Sequence, residues 1–249
     1  MTDSSRILSA ANNACIAVDA MGGDKGLAVM LAGVARARRR FPDMNFLLVG
    51  DEVQITEGLK AHPNLTAQAE IVHAAEVVGS SDKPSQAIRR AKTTSMGIAI
   101  DMVKQGRAAA CVSSGNTGAL MAMAKLSLRT IPGIDRPALA ALLPTLGAND
   151  VVVLDLGANT ECDARNLVQF AVMGAAYART TLDLASPRVA LLNIGSEDQK
   201  GTGEIRDAAQ ALKAAAHLPM TFTGFVEGDQ LSHAMSMSSC VTDFPATSR

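Results

Sequence analysis

Short apolar runs that end in small, polar loops alternate along this chain with Ala-rich stretches of helical period, and this alternation most constrains its fold. The expected strands are residues 16–19, 46–49, 109–112, 151–156, 188–194 and 221–226. The expected helices begin near Leu27, Glu52, Ser85, Thr117, Arg165 and Gly203. Leu27, Leu31, Val34 and Ala35 recur at helical spacing, and Gly106 follows Lys104 and Gln105 where a helix should stop. The apolar runs do not alternate with polar residues, which predicts strands buried on both faces. Strand–helix alternation of this kind predicts an α/β fold with a mostly parallel sheet and helices on both sides. No repeat, low-complexity tract or linker interrupts it.

Composition narrows the class. Hydrophobic residues make up 48% of the 249 and charged residues 19%, which excludes a disordered chain. Aromatics are only 3%, so a surface that stacks on nucleic-acid bases is not expected. The formal net charge of −1 gives no global attraction for nucleic acid or anionic membrane. Two local basic runs stand out, Arg36 with Arg38–Arg40, and Arg89–Arg90 with Lys92. Each reads first as a solvated helix face and second as a docking patch for an acidic partner. Cys15, Cys111, Cys162 and Cys240 are far apart and form no CxxC pair, so they read as reduced packing residues. With no signal-peptide core and no apolar run of about 18 residues, the expected location is the cytoplasm.

The loops at the strand ends carry the chemistry. Asp19 leads into Gly22-Gly23-Asp24, and Val112 into Ser113-Ser114-Gly115-Asn116-Thr117-Gly118. Asp155 leads into Gly157 and Asn159, Asn193 into the Gly195–Gly201 loop with Lys200, and Val226 into Glu227-Gly228-Asp229. In one parallel sheet those five ends would share an edge, where ligands bind. Glycines let backbone amides approach an anion, and a helix N-terminus adds favourable partial charge. Residues 114–118, opening a helix, are therefore the best expected phosphate loop. Lys200 reads as a surface lysine or as a cation that steadies phosphate or an oxyanion. Asp24, Asp155 and Glu197 read as helix caps or as partners of cations.

Several standard sites are missing from the sequence. It has no GxGxxG, no P-loop and no GxSxG elbow, and its four histidines are isolated. The remaining option is anion handling without a protein nucleophile.

Eight strings carry a resemblance. VDAMGGDKG, DKPSQAIRRAKTTSM, VSSGNTGALMAMA, IDRPALAALLPT, LDLGAN, LVQFAVMGAAYA, LLNIGSEDQKG and TFTGFVEGD, in this order, resemble the bacterial phosphate acyltransferases of phospholipid synthesis. The resemblance implies a three-layer α/β/α sandwich like that of isocitrate and isopropylmalate dehydrogenases and of phosphotransacetylases. It implies formation of acyl phosphate from fatty acyl-[acyl-carrier protein] and inorganic phosphate. It implies acyl carrier protein and phosphate as partners, a homodimer loosely associated with the membrane, a downstream membrane glycerol-3-phosphate acyltransferase, and no metal or organic cofactor. By resemblance, Gly22, Gly23, Asp24, Ser114, Gly115, Asn116, Thr117 and Arg136 are expected to contact phosphate or substrate. Lys200 is expected as the main catalytic cation, with Asn159 and Asn193 orienting the reacting groups. A phosphotransacetylase-like use of acyl-coenzyme A, and an inactive fragment that only binds, are the competing readings.

Two departures qualify the resemblance. Lys25 stands where the family has histidine, so a neutral base there would need a strongly lowered lysine pKa. Beyond residue 232 the family's DVVV strand and TDGFxGN loop are not readable. A shift of reading frame would account for the residues found there. The expected organisation is thus a flexible segment 1–13, one incomplete acyltransferase domain over 14–232, and an aberrant tail over 233–249.

Overall fold

A computed structural model describes residues 14–66, 68–147, 150–157, 159, 161–195, 200–215, 217–233 and 239–241. The chain divides into two compact units, Met1–Arg129 and Thr130–Arg249. Residues 129–140, where the units join, form neither helix nor strand. Arg129 ends a helix with φ 65°, and Gly133 turns the chain again with φ 90°.

The first unit carries strands β1 (Cys15–Asp19), β2 (Asn45–Gly50), β3 (Ala69–His73) and β4 (Ala110–Val112), in the order β3-β2-β1-β4 and all parallel. Its helices are α1 (Gly26–Arg40), α2 (Glu52–Leu59), α3 (Pro84–Arg89), α4 (Ser95–Lys104) and α5 (Thr117–Leu128). Alternate side chains of each strand leave by opposite faces. Val18, Phe46 and Leu48 therefore pack against Leu31 and Val34 of α1 and Ile55 of α2. Ala17, Leu47 and Val49 pack on the other face against Ala99 and Met102 of α4. That double burial explains the unbroken apolar runs, and it gives three layers.

The second unit carries β5 (Ala141–Leu143), β6 (Val151–Leu154), β7 (Arg188–Leu192), β8 (Thr221–Val226) and β9 (Ser239–Val241). Their order is β5-β6-β9-β7-β8, and only the β5–β6 pair is antiparallel. Helices α6 (Ala164–Thr181) and α7 (Gly203–Ala214) cover one face of it. Phe170, Leu167 and Ala171 of α6 and Ile205, Ala208 and Leu212 of α7 pack there against Val152, Leu154, Val189 and Leu191. The opposite face gathers Val151, Val153, Ala190 and Val226. α6 starts with a capping box, in which Asp163 Oδ1 accepts from Asn166 N at 2.7 Å.

The strands expected over 151–156 and 188–194 stop earlier, at Leu154 and Leu192. Asp155 and Asn193 turn their side chains onto loop backbone and end the ladder there. Strands β3, β5 and β9 are additional to the expected set, and the helical stretch that begins near Ser85 and stops before Gly106 is split into α3 and α4. β3 is a sheet edge with half-exposed side chains, and its mixed Ala69-Glu70-Ile71-Val72-His73 gives little apolar signal. Three residues of the segment expected to be aberrant, Ser239–Val241, form β9 inside the sheet. The expected flexible segment 1–13 and the rest of that tail, 234–238 and 242–249, lie outside the described residues.

Candidate functional site

The five polar strand ends do not share one edge. They fall on two, because β1 and β4 belong to the first sheet and β6, β7 and β8 to the second.

In the first unit, β1 and β4 are neighbours and parallel, so their C-terminal loops emerge side by side. Two hydrogen bonds tie those loops together. Ser113 Oγ donates to Asp19 Oδ2 at 2.7 Å, and Ser114 Oγ donates to the Gly22 carbonyl at 2.9 Å. Ser113 Oγ also accepts from Gly115 N at 3.1 Å, so one hydroxyl links the buried carboxylate to the next turn of the loop. Asp19 is 1% exposed, and its Oδ1 is buried without a hydrogen-bond partner. The glycines are required by this crossing. A Cβ on Gly22 would run into Asp19 Oδ2 and come within 3.1 Å of Ser113 Oγ. Gly23 has φ 87°, and a Cβ there would run into Ser114.

Asn116 then starts α5. Its Oδ1 accepts from Ala119 N at 3.0 Å, which caps the helix. Its Nδ2 donates to the carbonyls of Ser80 and Asp82, each at 3.0 Å, holding the turn before α3 against the loop. Arg90 keeps that turn in shape by pairing with both Glu76 and Asp82. Thr117 is exposed at the first position of a twelve-residue helix, where amides and dipole favour an anion. The structure thus brings Gly22, Gly23, Ser114, Gly115, Asn116 and Thr117 together. Asp24 and Lys25 are exposed in the turn that opens α1, and Lys25 makes no side-chain cap there.

Beneath the loop lies Cys111. Burial, reinforced by the charge of Asp19, pushes its thiol up to about 12. It is a poor nucleophile in this position.

In the second unit, Asp155 and Asn193 end β6 and β7. Asp155 is 2% exposed, and its carboxylate gathers the surrounding loop backbone. It accepts from Leu139 N at 2.7 Å, from Asn159 N at 2.7 Å and from Asn159 Nδ2 at 2.9 Å. Asn159 Nδ2 also donates to the Pro137 carbonyl at 3.0 Å. Beside it, Arg136 Nη1 donates to the Glu161 carbonyl at 3.0 Å. Asn193 Oδ1 accepts from Ile194 N at 2.9 Å, and its Nδ2 donates to the Lys200 carbonyl at 3.1 Å. Gly201, at φ 90°, lies so close to Asn193 that a Cβ would strike its amide. Asn193 therefore fixes the backbone on which exposed Lys200 stands. Asn193 spends its polar atoms on loop backbone, and Asn159 shares its amide between the Asp155 carboxylate and the Pro137 carbonyl. Glu197 lies outside the described residues. Among the described residues no group of three His, Cys, Asp or Glu side chains is placed to hold a metal ion.

Asp19 and Ser113 were read only as members of their strand-end loops and not as site residues. The available signal was an acid ending a buried strand three residues before a glycine pair.

A family model described as "Fatty acid synthesis protein" matches residues 14–242. The chain belongs to that family. Curated members named phosphate acyltransferase are similar to it. That of Erythrobacter litoralis is 62% identical over 217 residues, 87% of this chain and 61% of the relative. That of Rhodospirillum rubrum is 54% identical over 220 residues, 88% and 62%. The chain spans about three fifths of the length of these relatives. Among solved structures, a phosphotransacetylase from Streptococcus pyogenes covers 98% of this chain with TM-score 0.66 and 17% identity, over 83% of its own length. The EutD phosphotransacetylase from Staphylococcus aureus covers 96% with TM-score 0.64 and 16% identity, over 82% of its own length. At such identities the likeness establishes the α/β fold alone. No helix among the described residues is long and apolar enough to cross a membrane.

Proposed function

We propose that this phosphate acyltransferase family member forms acyl phosphate from a fatty acyl thioester on acyl carrier protein and inorganic phosphate. The observation that carries this reading is the glycine loop of the first unit, cross-tied to Gly22-Gly23 and opening α5. Such a loop holds an anion through backbone amides and hydroxyls. Family membership supplies the acyl substrate class.

In the proposed reaction phosphate is the nucleophile. One of its oxygens attacks the thioester carbonyl carbon, a tetrahedral oxyanion forms, and the C–S bond breaks to release the carrier thiolate, which takes up a proton. No protein nucleophile is consumed. The protein's work is orientation and charge stabilisation. Ser114, Gly115, Asn116 and Thr117, backed by Gly22 and Gly23, contact phosphate. Lys200 supplies the cation, Asn193 fixes its backbone, and Asn159 orders the loop after β6. Asp24 and Arg136, both exposed, complete the proposed substrate contacts. The rest of the reading is a homodimer in the cytoplasm, loosely associated with the membrane, that passes acyl phosphate to a membrane glycerol-3-phosphate acyltransferase.

The test is product formation. The purified chain is incubated with phosphate and either palmitoyl acyl carrier protein or acetyl-coenzyme A, and acyl phosphate is trapped with hydroxylamine. Product from the carrier substrate, lost in Lys200→Ala, is the expected result. Product from acetyl-coenzyme A alone overturns the substrate assignment. Carrier binding without turnover, unchanged by Lys200→Ala, overturns the catalytic one.

A further inference from the structure

The basic run Arg89–Arg90–Lys92 is not used by the phosphate loop, and the structure divides it. Arg90 turns to Glu76 and Asp82, and its pKa is raised, chiefly by its hydrogen bond to Glu76. Arg89 and Lys92 instead line a groove of about 490 Å3 formed by α3, α4, α5 and the turn after α3. Lys104, at the end of α4, is a third cation on the same groove. One acid lines it, Asp101, and Gln105 Nε2 donates to that carboxylate. The floor is apolar. Ile100 and Met123 are each 2% exposed, and Leu126 stands at the mouth, 61% exposed.

We infer that this groove docks an acidic amphipathic helix of the acyl carrier, an inference that rests on the proposed acyl transfer from that carrier. An apolar trough with cations at its rim is complementary to a helix with an apolar stripe and flanking carboxylates. A single fatty acid would present one anionic head. Three cations spread over three segments suit a partner with several carboxylates.

Position favours this groove over the other basic patch. α5 begins at the glycine loop, and the groove reaches it at Met123–Ser127, about 9–15 Å along the helix at 1.5 Å per residue. The Arg36–Arg40 patch lies farther from its own glycine turn, about 15–21 Å along α1 by the same measure. There Arg38 is engaged by Gln68 Oε1 at 3.0 Å, and the hollow beside it is lined by Ala35, Pro42, His62, Pro63 and Leu65.

The test is fluorescence anisotropy with fluorescein-labelled palmitoyl acyl carrier protein, at low and high salt. Lys92→Glu/Lys104→Glu is compared with Arg36→Glu/Arg39→Glu, which changes net charge equally. Unchanged urea midpoints confirm that both variants fold. The expected result is wild-type binding that weakens with salt, a loss of tenfold or more in the first variant and less than twofold in the second. Leu126→Ala weakens binding several-fold. Equal losses in both double variants, or none in the first, overturn the inference while leaving carrier binding intact. Displacement of the carrier by free dodecanoate also overturns it, because the groove is then a lipid pocket. Absence of any carrier binding by the wild type removes both this inference and the substrate reading.

Discussion

Asp19 and Ser113, 94 residues apart in the chain, are joined by a 2.7 Å hydrogen bond that fixes the distance between two strand-end loops. The loop after β4 is tied to the one after β1 there and again through Ser114 and the Gly22 carbonyl. Ser113 passes the constraint on to Gly115, and Gly22 has room beside it only because glycine lacks a side chain.

Ser113→Ala removes the donor to a carboxylate that is 1% exposed and already has one unpartnered oxygen. The expected cost is about 1–3 kcal/mol of stability, the usual penalty for an abandoned buried acceptor. Urea unfolding measures it. On the proposed reaction the KM for phosphate rises more than kcat falls. Ser113→Thr, which keeps the hydroxyl, restores most of both.

Gly22→Ala places a methyl group against Asp19 and Ser113. Either the carboxylate or the loop must move. The expected outcome is loss of phosphate binding, read by isothermal titration, with the far-ultraviolet circular dichroism retained. Gly33→Ala, at a helical position with open space beside it, serves as the control.

Legibility in the sequence differed from residue to residue for physical reasons. The α/β alternation was readable because strands buried on both faces leave long apolar runs, and Asn116 was readable because helix caps have a fixed chemistry. β3 was hidden because an edge strand mixes Glu70 and His73 with apolar residues. The break between α3 and α4 was hidden as well, since the start of α4 at Thr94 comes after a turn with no apolar break. The Asp19–Ser113 bond was not readable. It depends on β1 and β4 being neighbours, and residue order alone does not state that. The same applies to the division of the five polar loops between two sheets.

Lys200 and Asn193 make a separable pair. Lys200→Ala removes the proposed cation, and kcat should fall on the order of a hundredfold or more, with little change in stability. Asn193→Ala leaves the cation but frees its backbone from the 3.1 Å tie. It should lower kcat less and destabilise the fold measurably, because Asn193 is only 7% exposed. Comparing kcat with the urea midpoint distinguishes the two roles.

Cys111 has a thiol raised from 9.0 to about 12, by burial first and Asp19 second. The folded protein holds that proton more tightly than the unfolded chain. Its contribution to stability is therefore complete below pH 9.0 and is lost as pH rises towards about 12. At pH 8, iodoacetamide should label Cys111 more slowly than an ordinary exposed thiol, because little of it is thiolate. Adding urea should accelerate the labelling in step with unfolding, as mass spectrometry of the peptide would record.

The placement of β9 bears on how the chain is made. β6 and β7 each pair with β9, which lies between them, so the second sheet is two separate pairs of strands until β9 arrives. The ribosome reaches Val241 some 87 residues after Leu154. At 5–20 residues per second that is roughly 4–17 s during which the inner edge of β6 is open, while β7, finished only at Leu192, waits for a shorter part of it. The first unit has all four of its strands by Val112. The nascent protein should thus carry a finished amino-terminal half and an unclosed second half, and chaperone binding during translation should concentrate on residues 151–192.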